Sequence, residues 1–376
     1  MRSCCGARSP ASPPDAAAPD ARRHLEAIAG RSRPAGGDAE DAARAYCASE
    51  LRALGFTVGE EPFEYSRFPG EWATPLGGVA ACLTIAVLGA LGASGRARAA
   101  LIVLAVVMAV GLPIATRVAE RGVSGLQFMR ARATNLVATR GQPGIWLVAH
   151  LDSKSQPVPM LARVFGIVAS ALVLLALFGM SVAGMLGFAA SRDAWILVTL
   201  VGVVSSLPVA ASTVGTRSPG AIDDASGVAT VLRAAAMLPA EMHVGVVLTS
   251  AEELGMAGAR AFASRHPVGI ALNVDGVDDH GRTLCMTHGG TSRAREAVSA
   301  GARTLGERVN FGLTIPGLLT DGVALANAGW SAVTLSRGSI ATLARIHRAS
   351  DNLQALRGDG IEEMARLVTA AATELH

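Results

Sequence analysis

The sequence predicts an α/β fold: a mixed, largely parallel central sheet flanked by helices, into which four apolar helices are inserted as two hairpins. Three observations predict it. Short, continuously apolar runs such as residues 144–149 (Gly-Ile-Trp-Leu-Val-Ala) and Val244–Thr249 alternate with helical spacing, the pattern of strands buried on both faces. Four stretches carry no charged residue for long enough to cross a hydrocarbon layer, which takes about 20 apolar residues. Acids and histidines stand just after the apolar runs, where α/β sheets bind their ligands.

Composition sets the frame. The chain has 376 residues, 51% of them hydrophobic and only 17% charged, with a mean hydropathy of +0.39. That balance excludes a disordered or acidic-tail protein and exceeds the apolar share of an ordinary soluble globule. Net charge is only +3, Lys154 is the sole lysine, and the arginines are scattered. No basic stripe suggests a nucleic-acid surface. The five cysteines, Cys4, Cys5, Cys47, Cys82 and Cys285, have the spacing of neither a disulfide framework nor a metal knuckle.

Taken in order, residues 1–21 are rich in Ala, Pro and Asp and read as disordered. Helical spacing follows over 22–29 and 39–54, and Gly55 stops the second helix. Residues 56–65 alternate as a strand. The apolar stretches 72–95 and 99–116 form one hairpin around Arg96 and Arg98; 164–191 and 194–216 form another around Arg192 and Asp193. Small residues dominate all four, which suits close packing of helices in lipid. Between the hairpins, 127–140 and 144–149 read as strands. After the second hairpin come a helix over 227–238, strand Val244–Thr249, a helix over 256–265, a strand over 269–274 and a closing helix over 360–375.

A hairpin returns the chain to the side it left. Residues 22–71, 117–163 and 217–376 are therefore expected to form a single domain on one face of a lipid bilayer, with 72–116 and 164–216 as its two transmembrane insertions. Arg117, Arg121, Arg130, Arg132, Lys154 and Arg163 flank the spans on that face, against Arg96, Arg98 and Arg192 on the other. The excess leans towards a cytoplasmic domain in a four-span integral membrane protein.

The chemistry-bearing residues follow the strands. His150-Leu151-Asp152 comes directly after the strand ending at Ala149, and residues two apart on an extended chain share a face, so Asp152 can brace the His150 imidazole. Asp223-Asp224-Ala225-Ser226-Gly227 puts two acids before a helix, where capping alone would need one. Ser250-Ala251-Glu252-Glu253 supplies a second doubled acid, Asp275 ends the next strand, and His347 with Asp351 comes late. Singly, each has a plain structural explanation, including an ordinary polar turn or a surface pair. Together, two histidines and at least three carboxylates are what two zinc ions about 3.5 Å apart require. Three carboxylates and a hydroxide leave such a pair nearly neutral, and the lack of soft ligands disfavours copper or iron-sulfur chemistry.

These blocks, His-x-Asp, Asp-Asp-x-Ser-Gly, Glu-Glu-x-Gly, Asn-x-Asp and His-x-x-x-Asp, resemble in residue type and order the co-catalytic two-zinc aminopeptidases, which include leucyl aminopeptidases and aminopeptidase Y. The likeness covers about 280 residues, including Arg23-His24-Leu25 and the Arg33-Pro34-Ala35-Gly36 turn. It implies that His150, Asp223 and Asp275 hold one zinc and Asp223, Glu253 and His347 the other, with Asp223 bridging and Asp152 behind His150. It also implies a cis Asp223–Asp224 peptide bond, Glu252 as general base, and hydrolysis of amino-terminal residues from peptides by a hydroxide shared between two zincs. The sequence departs from the family at Thr320-Asp321-Gly322, where Ser-Asp-His is frequent, and at Asn352, where threonine is usual. A single-zinc glutaminyl cyclase and a catalytically dead membrane receptor or scaffold are the alternatives. Of the remaining histidines, His243, His266, His280 and His288 are read as non-ligands, His288 being the least secure of them.

Overall fold

A computed structural model describes residues 20–288, 292–313 and 319–376. The amino-terminal stretch expected to be disordered lies, up to residue 19, outside the described residues. In chain order the elements are α1 (Asp20–Ile28), α2 (Asp38–Ala53), β1 (Thr57–Ser66), α3 (Phe68–Ala93), α4 (Ala97–Arg117), α5 (Val123–Gly125), β2 (Arg130–Arg140), β3 (Ile145–His150), α6 (Met160–Met185), α7 (Arg192–Ala210), α8 (Ser226–Met237), β4 (Val244–Thr249), α9 (Ala257–Ala263), β5 (Ile270–Val277), β6 (Arg282–Thr287), α10 (Ser292–Leu305), β7 (Val309–Leu313), α11 (Asp321–Asn327), β8 (Ser331–Gly338), α12 (Ile340–Arg345) and α13 (Asp359–Thr373).

The eight strands form one sheet in the order β1-β2-β4-β3-β5-β8-β6-β7. Its centre, β4-β3-β5-β8, is parallel throughout. Antiparallel pairs join β1 to β2, β2 to β4 and β8 to β6, and β6 runs parallel to β7. The central strands are apolar on both sides because both faces are covered. Along β3, Ile145, Leu147 and Ala149 face a core closed by α1, α2, α8, α10 and α13. Trp146 and Val148 point the other way, where the Trp146 ring meets Phe262 and Trp330 edge-on. This period of two is the strand geometry itself.

The apolar stretches become a bundle of α3, α4, α6 and α7 standing on one end of the sheet domain. All four are long and apolar enough to cross a membrane by length and composition. Helices α3 and α7 approach closely through glycines. A side chain at Gly92 would collide with the Trp195 ring, one at Gly89 with Thr199, and one at Gly78 with the Ala210 backbone. Ser170 of α6 and Ser206 of α7 share a hydrogen bond of 3.1 Å. The outward faces are apolar and open: Leu172, Leu197 and Val204 are each more than 60% exposed.

Helix ends differ from the limits of the charge-free runs. The run 164–191 is helical only to Met185, because Gly187 takes φ +91° and Ser191 caps α7 by accepting from the Ala194 amide. The run 194–216 stops being helical at Ala210, and α3 starts at Phe68, four residues before its run. Absence of charge reports compatibility with lipid, whereas caps and left-handed residues set where a helix stops.

Candidate active site

The carboxyl ends of β3, β4 and β5 bring the acids and histidines together. His150 is the last residue of β3 and is buried. Its Nδ1 donates to the Asp152 carbonyl at 3.0 Å, which turns Nε2 towards Asp223 Oδ1 at 3.1 Å. The second Asp223 oxygen, Oδ2, lies 3.0 Å from His347 Nε2, and that nitrogen is also 3.2 Å from Glu253 Oε1. A single carboxylate thus faces one imidazole on each oxygen. Asp275 joins the first group through an irregularity in β5: the pairing with β8 shifts register between Val274 and Val277, and Gly276 takes φ +73°. Such a bulge re-aims a side chain out of the strand's alternation. His150, Asp223 and Asp275 therefore place ligand atoms within 4.8 Å of one another, and so do Asp223, Glu253 and His347.

The doubled acids divide their work. The Asp223–Asp224 peptide is cis. Asp224 is fully buried and belongs to neither ligand group. Its Oδ1 accepts from the Gly227 and Gly276 amides, each at 3.0 Å, and its Oδ2 from the His150 amide at 3.1 Å. It caps α8 while tying the ends of β3 and β5 to it. In the second pair, Glu253 belongs to the His347 group, and Glu252 Oε2 stands 3.9 Å from His150 Nε2. The Asp152 carboxylate accepts from both backbone amides of this pair, Glu252 at 3.0 Å and Glu253 at 3.2 Å. Its own contact with the His150 ring is longer, 3.5 Å. Asp152 thus braces the imidazole mainly through its carbonyl, and its side chain positions the acid loop.

Two contributors, Lys154 and Arg33, were given no place in the site by the sequence, and a third, Asp351, was named there without a role. Lys154 Nζ lies 2.6 Å from Glu253 Oε2 and donates to the Glu253 carbonyl at 3.2 Å. Its status as the chain's only lysine is the one signal available. Arg33, fully buried, donates to the carbonyls of Leu151, Ile28, Pro219 and Gly220 at 2.6–3.2 Å, joining the loops of His150 and Asp223. Asp351 is buried and accepts from the Ile222 amide at 2.6 Å and the Asp223 amide at 3.3 Å, so it is no surface pair with His347. At the family's departure point, Asp321 is buried and hydrogen-bonded to the Thr249 hydroxyl. Gly322 leaves room for the His288 ring, which is hydrogen-bonded to Thr334 at 2.9 Å and held by burial at a pKa of about 4. His288 belongs to neither ligand group, and Asn352 caps the turn Leu353–Ala355.

The electrostatics call for added positive charge. Burial alone would lower the histidines, yet Glu252, Asp152 and Asp223 hold His150 well above its ordinary range, and Glu253 lifts His347 to about 9. Burial, with like charge from Asp223, raises Asp275 to about 7, and burial with Glu253 beside it raises Glu252 well above the carboxylate range. Against burial, His347 and Lys154 hold Glu253 at about 2, and the two imidazoles keep Asp223 ionised. A cluster that takes up protons to offset crowded carboxylates fits divalent cations in their place. The donors are all imidazole nitrogen and carboxylate oxygen, a set that suits zinc.

Residues 204–372 match the profile of peptidase family M28, a stretch that holds every ligand candidate except His150. No curated protein is similar to the chain in sequence. In fold it is similar to an aminopeptidase from Aneurinibacillus sp. strain AM-1, with 14% identity, 94% of this chain and 92% of that chain covered, and a TM-score of 0.55. It is similar also to a zinc aminopeptidase from Bacillus subtilis, with 14% identity, coverage of 95% and 94%, and a TM-score of 0.56. A glutaminyl cyclase from Porphyromonas gingivalis shares the fold at 13% identity, coverage of 95% and 98%, and a TM-score of 0.52. At these identities the likeness is one of fold.

Proposed function

We propose that the chain is a membrane-bound metallo-aminopeptidase of family M28 that holds two zinc ions per molecule. The observation that carries this reading is the Asp223 carboxylate with an imidazole on each oxygen, each pair completed by one further acid. His150, Asp223 and Asp275 would hold one ion, and Asp223, Glu253 and His347 the other. When bound, zinc supplies a Lewis acid that polarises the scissile carbonyl and makes a water molecule more acidic.

The chain's own residues do the rest. Glu252, whose Oε2 stands 3.9 Å from His150 Nε2 beside the ligand groups, takes the proton of the attacking water on Oε2 and delivers it to the departing amine. Asp152 holds the amides of Glu252 and Glu253, which fixes base and ligand relative to each other. Lys154 occupies Glu253 Oε2 and leaves Oε1 to face His347.

The membrane part of the proposal rests on the length of the four apolar helices and on their open apolar faces, which lipid would cover. Residues 22–71, 117–163 and 217–376 then form one peptidase domain. The arginines flanking the spans on its side favour a cytoplasmic location.

Release of a fluorescent amine from aminoacyl substrates, with zinc content measured in the same preparation, tests the assignment. Two zincs per chain and chelator-sensitive release are expected. Glu252→Gln should keep both zincs and lose roughly 10²- to 10⁴-fold in rate, the usual worth of a general base. A zinc-loaded chain that releases no amine would refute the peptidase reading. One zinc with cyclisation of amino-terminal glutamine would favour a cyclase, for which the shared fold is the supporting observation.

A further inference from the structure

The four apolar helices meet the sheet domain at the same loops that carry the candidate ligands. At the start of α3, Gly70 lies so close to the Leu254 backbone that a side chain there would overlap it, and Leu254 follows Glu253 directly. Beyond α4, Arg260 donates to the Glu120 carbonyl at 2.9 Å, and Val123 packs with Ala251 and Leu254. Before α6, the Gln156 amide donates to the His347 carbonyl at 2.9 Å, and the Gln156 side chain holds Arg163 in the first turn of the helix. After α7, Gly215 pairs with Ser155 in both directions at 2.8 Å, eight residues before Asp223. Val164, where the apolar run of α6 starts, is four residues into the helix, about 6 Å of rise at 1.5 Å per residue.

Exposed apolar side chains mark the same end of the domain. Phe128 is 62% exposed and packs edge-on against Phe68 at the start of α3. Ile340, 73% exposed, opens α12, which lies against α6. Leu319, 59% exposed, immediately precedes Thr320 and Asp321 beside the end of β4. Scattered apolar residues need no explanation, but Phe128 and Ile340 beside the bases of the apolar helices, with Leu319 next to the loop at the end of β4, form the kind of fringe that sits in a bilayer interface.

We propose that the site opens onto the bilayer surface and that its preferred substrates are peptides retained in the membrane by an apolar segment. The proposal rests on the peptidase and membrane readings above and adds to them the substrate class. A peptide anchored in the same bilayer meets the site from a thin layer rather than from bulk solution, and the gain in effective concentration raises its rate of capture without any new contact. A freely soluble peptide has no such gain.

The test uses the full zinc-loaded chain in lipid vesicles and two peptides of identical amino-terminal sequence, one carrying a carboxyl-terminal apolar helix and one without it. Hydrolysis of the anchored peptide should exceed that of the soluble one by at least about tenfold at equal total concentration. Equal rates, or a soluble peptide cleaved faster, overturn the inference and leave the peptidase reading standing. Hydrolysis of neither overturns both. A second measurement does not depend on activity. A fluorophore on Ile340→Cys, in a chain whose native cysteines are replaced, should be quenched by nitroxide-bearing lipid, whereas one on Val268→Cys, before the opposite end of β5, should not. An unquenched label at 340, or equal quenching at both positions, refutes the placement of the site at the surface.

Discussion

Replacing Asp152 by asparagine probes whether the site depends on a side chain that binds no metal. The two Asp152 oxygens accept from the Glu252 and Glu253 amides at 3.0 and 3.2 Å in a side chain 1% exposed. Asparagine has nearly the same shape but one acceptor, and its NH2 group would face one of the two N–H donors. The loss is one hydrogen bond to a carboxylate, about 1.5–3 kcal/mol, overlapping with the cost of an orphaned buried N–H, about 1–3 kcal/mol. A total of about 2–4 kcal/mol corresponds to roughly 30- to 700-fold, since 1.4 kcal/mol is tenfold. The loss should be divided between zinc affinity, measured by competition with a chelator, and kcat/KM on an aminoacyl amide. Asp193→Asn, in the first turn of α7, should change neither. If Asp152→Asn retains zinc affinity and kcat/KM within about twofold of the parent, the positioning argument fails.

Two further outcomes concern folding. Gly92→Leu would drive a side chain into the Trp195 ring and part α3 from α7, costing about 1–3 kcal/mol, whereas Gly77, with nothing within 4 Å of an added Cβ, should accept leucine freely. Thermal unfolding in detergent checks this, and equal midpoints for the two variants would remove the close α3–α7 packing. Glu40, whose Oε2 accepts from the Gly36 amide at 2.6 Å, is pushed up to about 8 by burial and by Asp152 nearby. The folded chain therefore holds this proton more tightly than the unfolded one, so the stability it contributes is complete below about pH 4.5 and is lost as pH rises through 8. Glu40→Gln should flatten that part of the stability-against-pH curve; an unchanged slope would show that another group is responsible.

Much of the fold could be read from periodicity because the central strands are extreme cases. β4 coincides with its apolar run, and β3 and β5 lie within one to three residues of theirs, since strands buried on both faces leave no ambiguity of register. The strands β6, β7 and β8 were not individually assigned. Their residues are mixed, as in Arg282–Thr287 and Val309–Leu313, and they are fixed by neighbours distant in the chain rather than by local pattern. In the site, residues following a strand were legible because a strand end is a defined place. Those that act by holding backbone amides, Asp224 and Asp351, were not separable from ligands by type, because a carboxylate suits both tasks. Arg33 and Lys154 were harder still, for no local pattern reveals that a cation will be buried against carbonyls or a carboxylate contributed by other segments.

If α6 and α7 cross a bilayer as proposed, their position between His150 and Asp223 has a consequence for biogenesis. The two residues are neighbours in space only when the intervening pair of helices has gone in and come back. A nascent chain that leaves one of those helices behind would strand the imidazole and its carboxylate in different compartments. Such a molecule could not assemble the cluster, so under that topology faulty integration would yield an inert protein rather than a working one in the wrong place.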